Sequence, residues 1–480
     1  MKKNKIYLLY PPISKQERYS SDVGSVGGEQ LPLGIYYLAA YLRDKGFEVR
    51  VSDAEALHQT TDDIFKQLEE FRPDFVGVSS TTVAFHRALE VTRDIKSSFP
   101  DVTTILGGAH ITSNVTHAMS SDCFDFGVIS EGEVTLIELL NALNDADRCL
   151  EEVQGIAFRK KGELIVTQKR EYIQCLDDLP FPAYDLIPDL QLYTPPPSNY
   201  KTLPVASMIT SRGCPYLCTF CDRNIFGRKY RERSAENVFA EIKHLHDEYG
   251  VREIAFVDDT FLLNKQRIHD LFDLIKKEGL YFHWNCAAKI NNVTFDFLKY
   301  LKENGCWSIA FGIESGDEKI LEIIKKKITL PKVKEVVSWC NKLKIQTKGF
   351  FIIGHPSETL ATIDKTIRFA CSLKLDSIVV TINTPIPGSQ QFEEASRYGR
   401  LETHDWSKFN YWSPVFIPDG LNKEILLKKQ KEFYMKFYLQ PRVLLKFVLS
   451  FLGKGGTRRM KSVLGLVGYL LPKKKAIKAA

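Results

Sequence analysis

Residues 211 to 222 read Ser-Arg-Gly-Cys-Pro-Tyr-Leu-Cys-Thr-Phe-Cys-Asp and place Cys214, Cys218 and Cys221 in a C-x3-C-x2-C array. Three thiolates so close in sequence can face one point, and a cubane iron-sulfur cluster ordinarily takes four. Three leave one iron with an open site for a cofactor or substrate. The competing reading is zinc. A closed zinc site takes four ligands, however, and His244 and His246 fall on a helix-forming stretch well away in sequence. The triad directly follows VASMITSRG, an apolar run with strand character, so it opens a loop at a strand end.

Elements of two kinds must position this loop. Between 205 and 385 the runs VASMITSRG, REIAFVDD, HWNCAAK, SIAFGIE, KGFFIIG and SIVVTINTP alternate with helix-like stretches such as SAENVFAEIKHLHDEYG. Six strands alternating with helices suit a partial (β/α)6 barrel better than the closed eight-fold form, with its chemistry on loops at the C-terminal strand ends. Upstream, IYLLY, EVRVSDA, FVGVSS, TTILGGAH and FDFGVIS alternate in the same way. They predict a Rossmann-like, doubly wound parallel sheet that binds ligands at its C-terminal strand ends. The expected fold class is α/β, with an N-terminal sheet domain at 1–145, a linker with a hairpin at 146–200, the partial barrel at 201–400 and a helical extension with a basic tail at 401–480. Lys161-Gly162 marks the hairpin turn, and the rest of the linker is proline-rich.

With Phe220 ahead of its last cysteine, the triad resembles the signature of the radical S-adenosylmethionine (SAM) superfamily. The resemblance implies that the amino and carboxylate groups of SAM chelate the fourth iron of a [4Fe-4S] cluster. An electron from the reduced cluster then cleaves SAM to methionine and a 5'-deoxyadenosyl radical. It also implies SAM contacts at other strand ends. Asp258 and Asp259 resemble the position that meets the methionine amino group through a charge-assisted hydrogen bond; the alternative is a helix N-cap. Glu314 and Ser315, in FGIESGDE, resemble the ribose and amino contacts, with capping through Ser315 and Glu318 as the alternative. GFFIIGHPSET resembles the adenine-side strand, which assigns the backbone at Ile352 and Gly354 to adenine; Glu358, one residue beyond the usual spacing, receives no role. TPIPGS is either a turn that recurs in the family or a purely structural one.

A βα domain ahead of such a barrel resembles the cobalamin-binding domain of cobalamin-dependent radical SAM enzymes. The combined layout is similar to that family over roughly residues 5 to 440. Ser79, Ser80, Thr81 and Thr82 offer hydroxyls to a nucleotide tail, while Gly107 and Gly108 let backbone approach a large ligand. A dinucleotide site would need G-x-G-x-x-G where Pro11 and Pro12 stand. The cobalamin motif D-x-H-x-x-G is absent, since Ala54 and Glu55 follow Asp53, which implies cobalt without a lower histidine ligand from that motif. His58, His86 and His110 read as surface or capping histidines. The implied cofactors are the [4Fe-4S] cluster, SAM and cobalamin, and the implied reductant is a protein such as flavodoxin or ferredoxin. The implied reaction is methylation of an unactivated carbon of a small-molecule or lipid-like substrate, or its cyclisation or oxidation without methyl transfer. A non-catalytic cobalamin or redox-binding protein is the reading from another class.

Bulk properties fit this picture. Seven of the ten cysteines are scattered singly and read as small buried residues in a reducing cytosol. The apolar run at 6–10 is stopped by Pro11-Pro12, too short for a signal segment or a membrane span, so a cytoplasmic location is expected. Residues 433–480 carry 11 Lys and Arg and no Asp or Glu, leaving 54 of the 65 basic residues against all 59 acidic ones, a net of −5 elsewhere. Nucleic acid is not an expected partner of so acidic a body. The apolar stretches at 443–452 and 463–471, flanked by lysine and arginine, read as helices lying on an anionic membrane surface through 441–480, or as helices covering the barrel.

Overall fold

The computed structural model describes residues 3–19, 28–196 and 198–451. Most of the basic tail lies outside the described residues; its first part is the helix Pro441–Phe451. No helix among the described residues is long and apolar enough to cross a membrane.

The first sheet contains β1 (Lys5–Tyr10), β2 (Glu48–Asp53), β3 (Phe75–Ser79), β4 (Thr103–Gly107), β5 (Phe126–Val128), β6 (Ile156–Lys160) and β7 (Glu163–Val166). Its order is β2-β1-β3-β4-β5-β6-β7. The first five strands run parallel, because helices such as Leu33–Asp44 and Phe85–Ser98 return the chain between them. Between β1 and β3 the order reverses, opening the crevice in which such sheets bind ligands. The Lys161-Gly162 hairpin forms as expected from its turn, both residues having positive φ. It is continuous with the first sheet, however, pairing antiparallel to β5.

The chain then forms β8 (Val205–Met208), β9 (Ser211–Arg212), β10 (Arg231–Glu232), β11 (Glu253–Phe256), β12 (His283–Ala288), β13 (Cys306–Glu314), β14 (Gln346–Ile353) and β15 (Ser377–Ile382). A parallel, six-stranded sheet runs β8-β11-β12-β13-β14-β15, while β9 and β10 form a separate antiparallel pair. Alternation along β13 and β14 sends Ile309, Phe311, Ile313, Phe351 and Ile353 to the helix-covered face. Small inward positions, Ser308, Ala310 and Gly312, stay partly accessible in the lumen. The outer edge of β15 is closed by the helix Lys423–Tyr438, whose Gln430 Nε2 donates to the Val380 carbonyl while Tyr434 Oη accepts from the Val380 N–H. One apolar core runs from Tyr36 and Tyr37 of the first domain into the barrel. Of the scattered cysteines, Cys123, Cys286, Cys306 and Cys340 are buried, whereas Cys149 and Cys175 are exposed, contrary to expectation.

Candidate functional site

The cysteine loop bridges β9 and β10. Gly213 makes its first turn possible: φ is +86° and a Cβ there would lie 2.3 Å from the Lys229 carbonyl oxygen. Cys214 N–H donates to the Gly227 carbonyl and Cys221 N–H to the Cys218 carbonyl. The TPIPGS turn is more than a connection. Its Gly388 packs on Asp222 and Asn224, and Gln391 just beyond it bonds both the backbone and the hydroxyl of Thr219. The loop is thus held from both ends of the barrel sequence.

Cys218 is buried and Cys214 half-buried, while Cys221 keeps an accessible face. Burial pushes the Cys214 thiol up and the Cys221 thiol up to about 12, with the neighbouring Cys218 adding to the rise at Cys221. Tyr411, 46% exposed, flanks Cys221 and Asp222. Two cations stand near the cysteine loop. Lys289 lies 3.5 Å from the centroid of the Tyr216 ring, near Cys218 and Cys214. Lys326 is buried; burial opposes its charge, but the Glu314 carboxylate, 2.7 Å away, and the cysteine sulfurs hold its ammonium above the usual lysine range.

The strand-end residues divide their roles. Asp258 is buried, and its Oδ1 accepts from the Thr210 N–H, the Thr210 hydroxyl and the Ser211 hydroxyl, tying β11 to the strand that leads into the cysteine loop. Its Oδ2 is buried without a partner. Asp259 is accessible and close enough to Cys214 to raise its pKa; burial and the Asp258 charge push its own carboxyl up. Neither aspartate caps a helix, since Asn264 caps Lys265–Lys277. Glu314, at φ +66° beside a bulge in β13, turns over the bare Cα of Gly312 toward Lys326. Ser315 is wholly buried against Thr366 and accepts from Asp317 N–H, while Asp317, not Ser315, caps the helix Glu318–Ile323. Ile352 is half-buried on the lumen side, and Gly354 has φ +85°. Glu358 folds back to accept from Gly354 and His355 N–H groups, and burial pushes its carboxyl up to about 8.

The loops after β3 and β4 form a cradle at the end of the first sheet. Gly108 has φ +99°, and a Cβ would lie 2.6 Å from the Ser80 carbonyl oxygen, so glycine lets the two loops touch. At Gly107 a Cβ would meet nothing within 4 Å, which leaves open space over the strand end. Ser80 donates to the Thr81 carbonyl, Ser79 is half-buried, and the Thr81 hydroxyl is buried beside the Tyr10 phenol. An open floor rimmed by hydroxyls fits a large polar cofactor such as cobalamin. His58 is exposed and His86 bonds Glu17 and the Val83 carbonyl, as expected of surface and capping residues. His110 is instead wholly buried, which corrects the surface reading for that residue.

Cradle and cysteine loop meet directly. Ser113 donates to Asp222, the residue after Cys221, and Ser130 Oγ donates to the Ile225 carbonyl at 2.8 Å. Beneath them, Glu131 Oε1 accepts from Arg212 at 3.0 Å and from Arg231 at 2.9 Å, and Glu133 Oε1 accepts from Arg212 at 2.6 Å. Burial works against the Glu133 charge, yet the Arg212 guanidinium holds its carboxyl below the usual range. Lys289, Lys326 and Tyr411 were not legible in the sequence. The Lys325-Lys326-Lys327 run reads as a solvated charged stretch, and only its position after β13 distinguishes Lys326.

A (β/α)6 barrel with a three-cysteine strand-end loop, docked on a doubly wound sheet with an open cradle, defines a radical SAM enzyme carrying a cobalamin domain. The radical SAM superfamily profile matches residues 208–370, and that of the B12 binding domain matches 19–140. An uncharacterized methyltransferase of Pyrococcus horikoshii is 37% identical over 94% of this chain and 96% of its own length. The anaerobic magnesium-protoporphyrin IX monomethyl ester cyclase of Cereibacter sphaeroides is 27% identical over 95% of this chain and 77% of its own. The cobalamin-dependent SAM radical enzyme OxsB, solved with aqua-cobalamin and SAM, shares the fold with TM-score 0.74 and 18% identity over 96% of this chain and 72% of that one. The chain belongs to the cobalamin-dependent radical SAM enzyme family. Its cofactors are a [4Fe-4S] cluster, SAM and cobalamin.

Proposed function

We propose that this enzyme methylates an unactivated carbon of a small hydrophobic molecule. The observation that supports the reading is the direct contact of the cysteine loop with the loops of the first sheet, Asp222 with Ser113 and Ile225 with Ser130. In this reading Cys214, Cys218 and Cys221 hold the cluster, and the accessible Asp259 meets the SAM amino group. Glu314 receives the ribose hydroxyls, and the backbone at Ile352 and Gly354 receives adenine. Asp258 and Ser315 act one step back, holding the strand ends through Thr210, Ser211 and Thr366. Ser79, Ser80, Thr81, Gly107 and Gly108 form the cobalamin cradle. When bound, the cofactors supply a hydrogen-abstracting radical and a transferable methyl group. Lys326 balances the negative charge of the thiolates, and Lys289, near Cys214 and Cys218, offers a cation to a SAM carboxylate. A flavodoxin or ferredoxin supplies electrons, and contact of 441–480 with a membrane surface is read out by liposome flotation with and without those residues.

The test is anaerobic reconstitution with cobalamin, methyl-labelled SAM and extracts of lipids and pigments, followed by mass spectrometry. Label in a product supports methyl transfer. Similarity to the cyclase over 95% of this chain favours one second reading, radical cyclisation or oxidation; deoxyadenosine with an altered but unlabelled product selects it. Alanine at Cys214, Cys218 and Cys221 abolishes SAM cleavage, and retained cleavage would refute these ligands.

A further inference from the structure

Trp406 lies beyond the barrel, in the turn Trp406–Lys408, and its indole Nε1 donates to Nε2 of His117 at 2.9 Å. Nδ1 of His117 is 3.1 Å from Nε2 of His110, and Nδ1 of His110 is 3.4 Å from the Thr82 hydroxyl. The His110 ring packs against Phe85 in a tilted arrangement with centroids 4.2 Å apart. An indole N–H only donates, so His117 Nε2 accepts, and a neutral imidazole then carries its proton on Nδ1. That proton goes to His110 Nε2, which leaves the His110 proton on Nδ1, pointing at Thr82. Burial keeps both rings neutral, pushing His110 down to about 3 and His117 down as well. Donation therefore runs one way, from Trp406 to Thr82 Oγ1, and the Thr82 proton must turn away from His110. Among the described residues no side chain accepts it. Thr82 is half-buried in the loop after β3, whose Ser80 also packs on Gly108.

We propose that the Trp406-His117-His110 chain is a tautomer lock that presents the Thr82 hydroxyl as a hydrogen-bond donor to an oxygen on the polar rim of cobalamin. The inference rests on the reading that the β3 and β4 loops hold this cofactor. It makes Thr82 a binding residue, with His110, His117 and Trp406 as positioning residues. The post-barrel segment thereby completes a site in the first domain.

The experiment titrates full-length protein with hydroxocobalamin and measures Kd by equilibrium dialysis, after circular dichroism shows each variant folded. Thr82→Val weakens binding about tenfold, the equivalent of one hydrogen bond, and Thr82→Ser restores it to within about twofold. Trp406→Phe weakens binding in the same direction, and the double variant Thr82→Val/Trp406→Phe binds no more weakly than Thr82→Val. In 15N-histidine-labelled protein, Trp406→Phe also shifts the His117 resonances out of the Nδ1–H tautomer pattern. Additive losses in the double variant overturn the lock, as does unchanged binding in Thr82→Val when Gly107→Leu still abolishes it. Unchanged binding in both Thr82→Val and Gly107→Leu overturns the cradle reading itself.

Discussion

Glu131 is the residue whose removal should most directly loosen the cysteine loop from the first domain. Its carboxylate accepts from Arg212 Nη1 at 3.0 Å, from Arg231 Nη1 at 2.9 Å and from Ile173 N–H at 2.8 Å, all in the interior. The Arg212 and Arg231 side chains are 7% and 2% exposed. They stand on β9 and β10, the two strands from which the cysteine loop springs. In Glu131→Ala, Arg212 still has Glu133, but Arg231 keeps no carboxylate in hydrogen-bond contact, only the Phe226 and Ile173 carbonyls and the face of the Tyr172 ring. Leaving one buried guanidinium without its counter-charge costs about 3–5 kcal/mol. Glu131→Gln keeps an acceptor and loses about 1–3 kcal/mol. Adding Arg231→Met to Glu131→Ala removes the orphaned charge, so the double variant should recover at least about 1 kcal/mol relative to simple additivity. Urea unfolding of the holoenzyme measures each difference, and iron per protein after gel filtration shows whether the loop still grips its cluster. A loss below about 1 kcal/mol in Glu131→Ala, or strict additivity with Arg231→Met, would refute the reasoning.

Glu358 predicts a pH dependence. Its folded pKa of about 8 exceeds its usual 4.5, so the folded state holds the proton more tightly. Its contribution is fully present below pH 4.5 and falls by about 1.4 kcal/mol per pH unit as pH rises toward 8. Glu358→Gln should flatten stability across that window, and an unchanged slope would contradict the burial. Gly108→Ala forces a Cβ into Ser80 at a positive φ and should lower stability by about 1–3 kcal/mol. Gly107→Leu should leave the melting temperature within a few degrees of the original while blocking cobalamin uptake; the opposite pattern would reverse their roles. Asp259→Asn should weaken SAM binding with iron content intact, whereas Asp258→Asn, which disturbs the Thr210 and Ser211 bonds, should lower stability by about 1–3 kcal/mol. Calorimetry with SAM and thermal unfolding separate the two.

Much of the architecture was legible because strand and helix periodicities are local. The six barrel runs became β8 and β11 to β15, and the five upstream runs became the parallel part of the first sheet. The hairpin was readable from Lys161-Gly162, but its attachment to β5 was not, because edge pairing depends on which strand lies nearby in space. The same limit applied to His110. A histidine between Ala109 and Ile111 gives no local sign that a tryptophan nearly 300 positions later will reach its neighbour His117.

The sequence alone pointed to the three cysteines proposed as cluster ligands, through their spacing within one loop, and it determined the alternation that builds both sheets. Tertiary structure decided which of the strand-end carboxylates are available. Asp258 is consumed by the strand beside it while Asp259 is left accessible, and Glu314 is drawn to Lys326 over Gly312. It also decided that the cysteine loop rests on the cradle, through Ser113, Ser130 and the Glu131-Arg212-Arg231 cluster. Spacing along the chain fixes which groups can share a loop. Whether a carboxylate faces solvent, a guanidinium or a cofactor depends on what packs against it, and those neighbours come from distant parts of the chain.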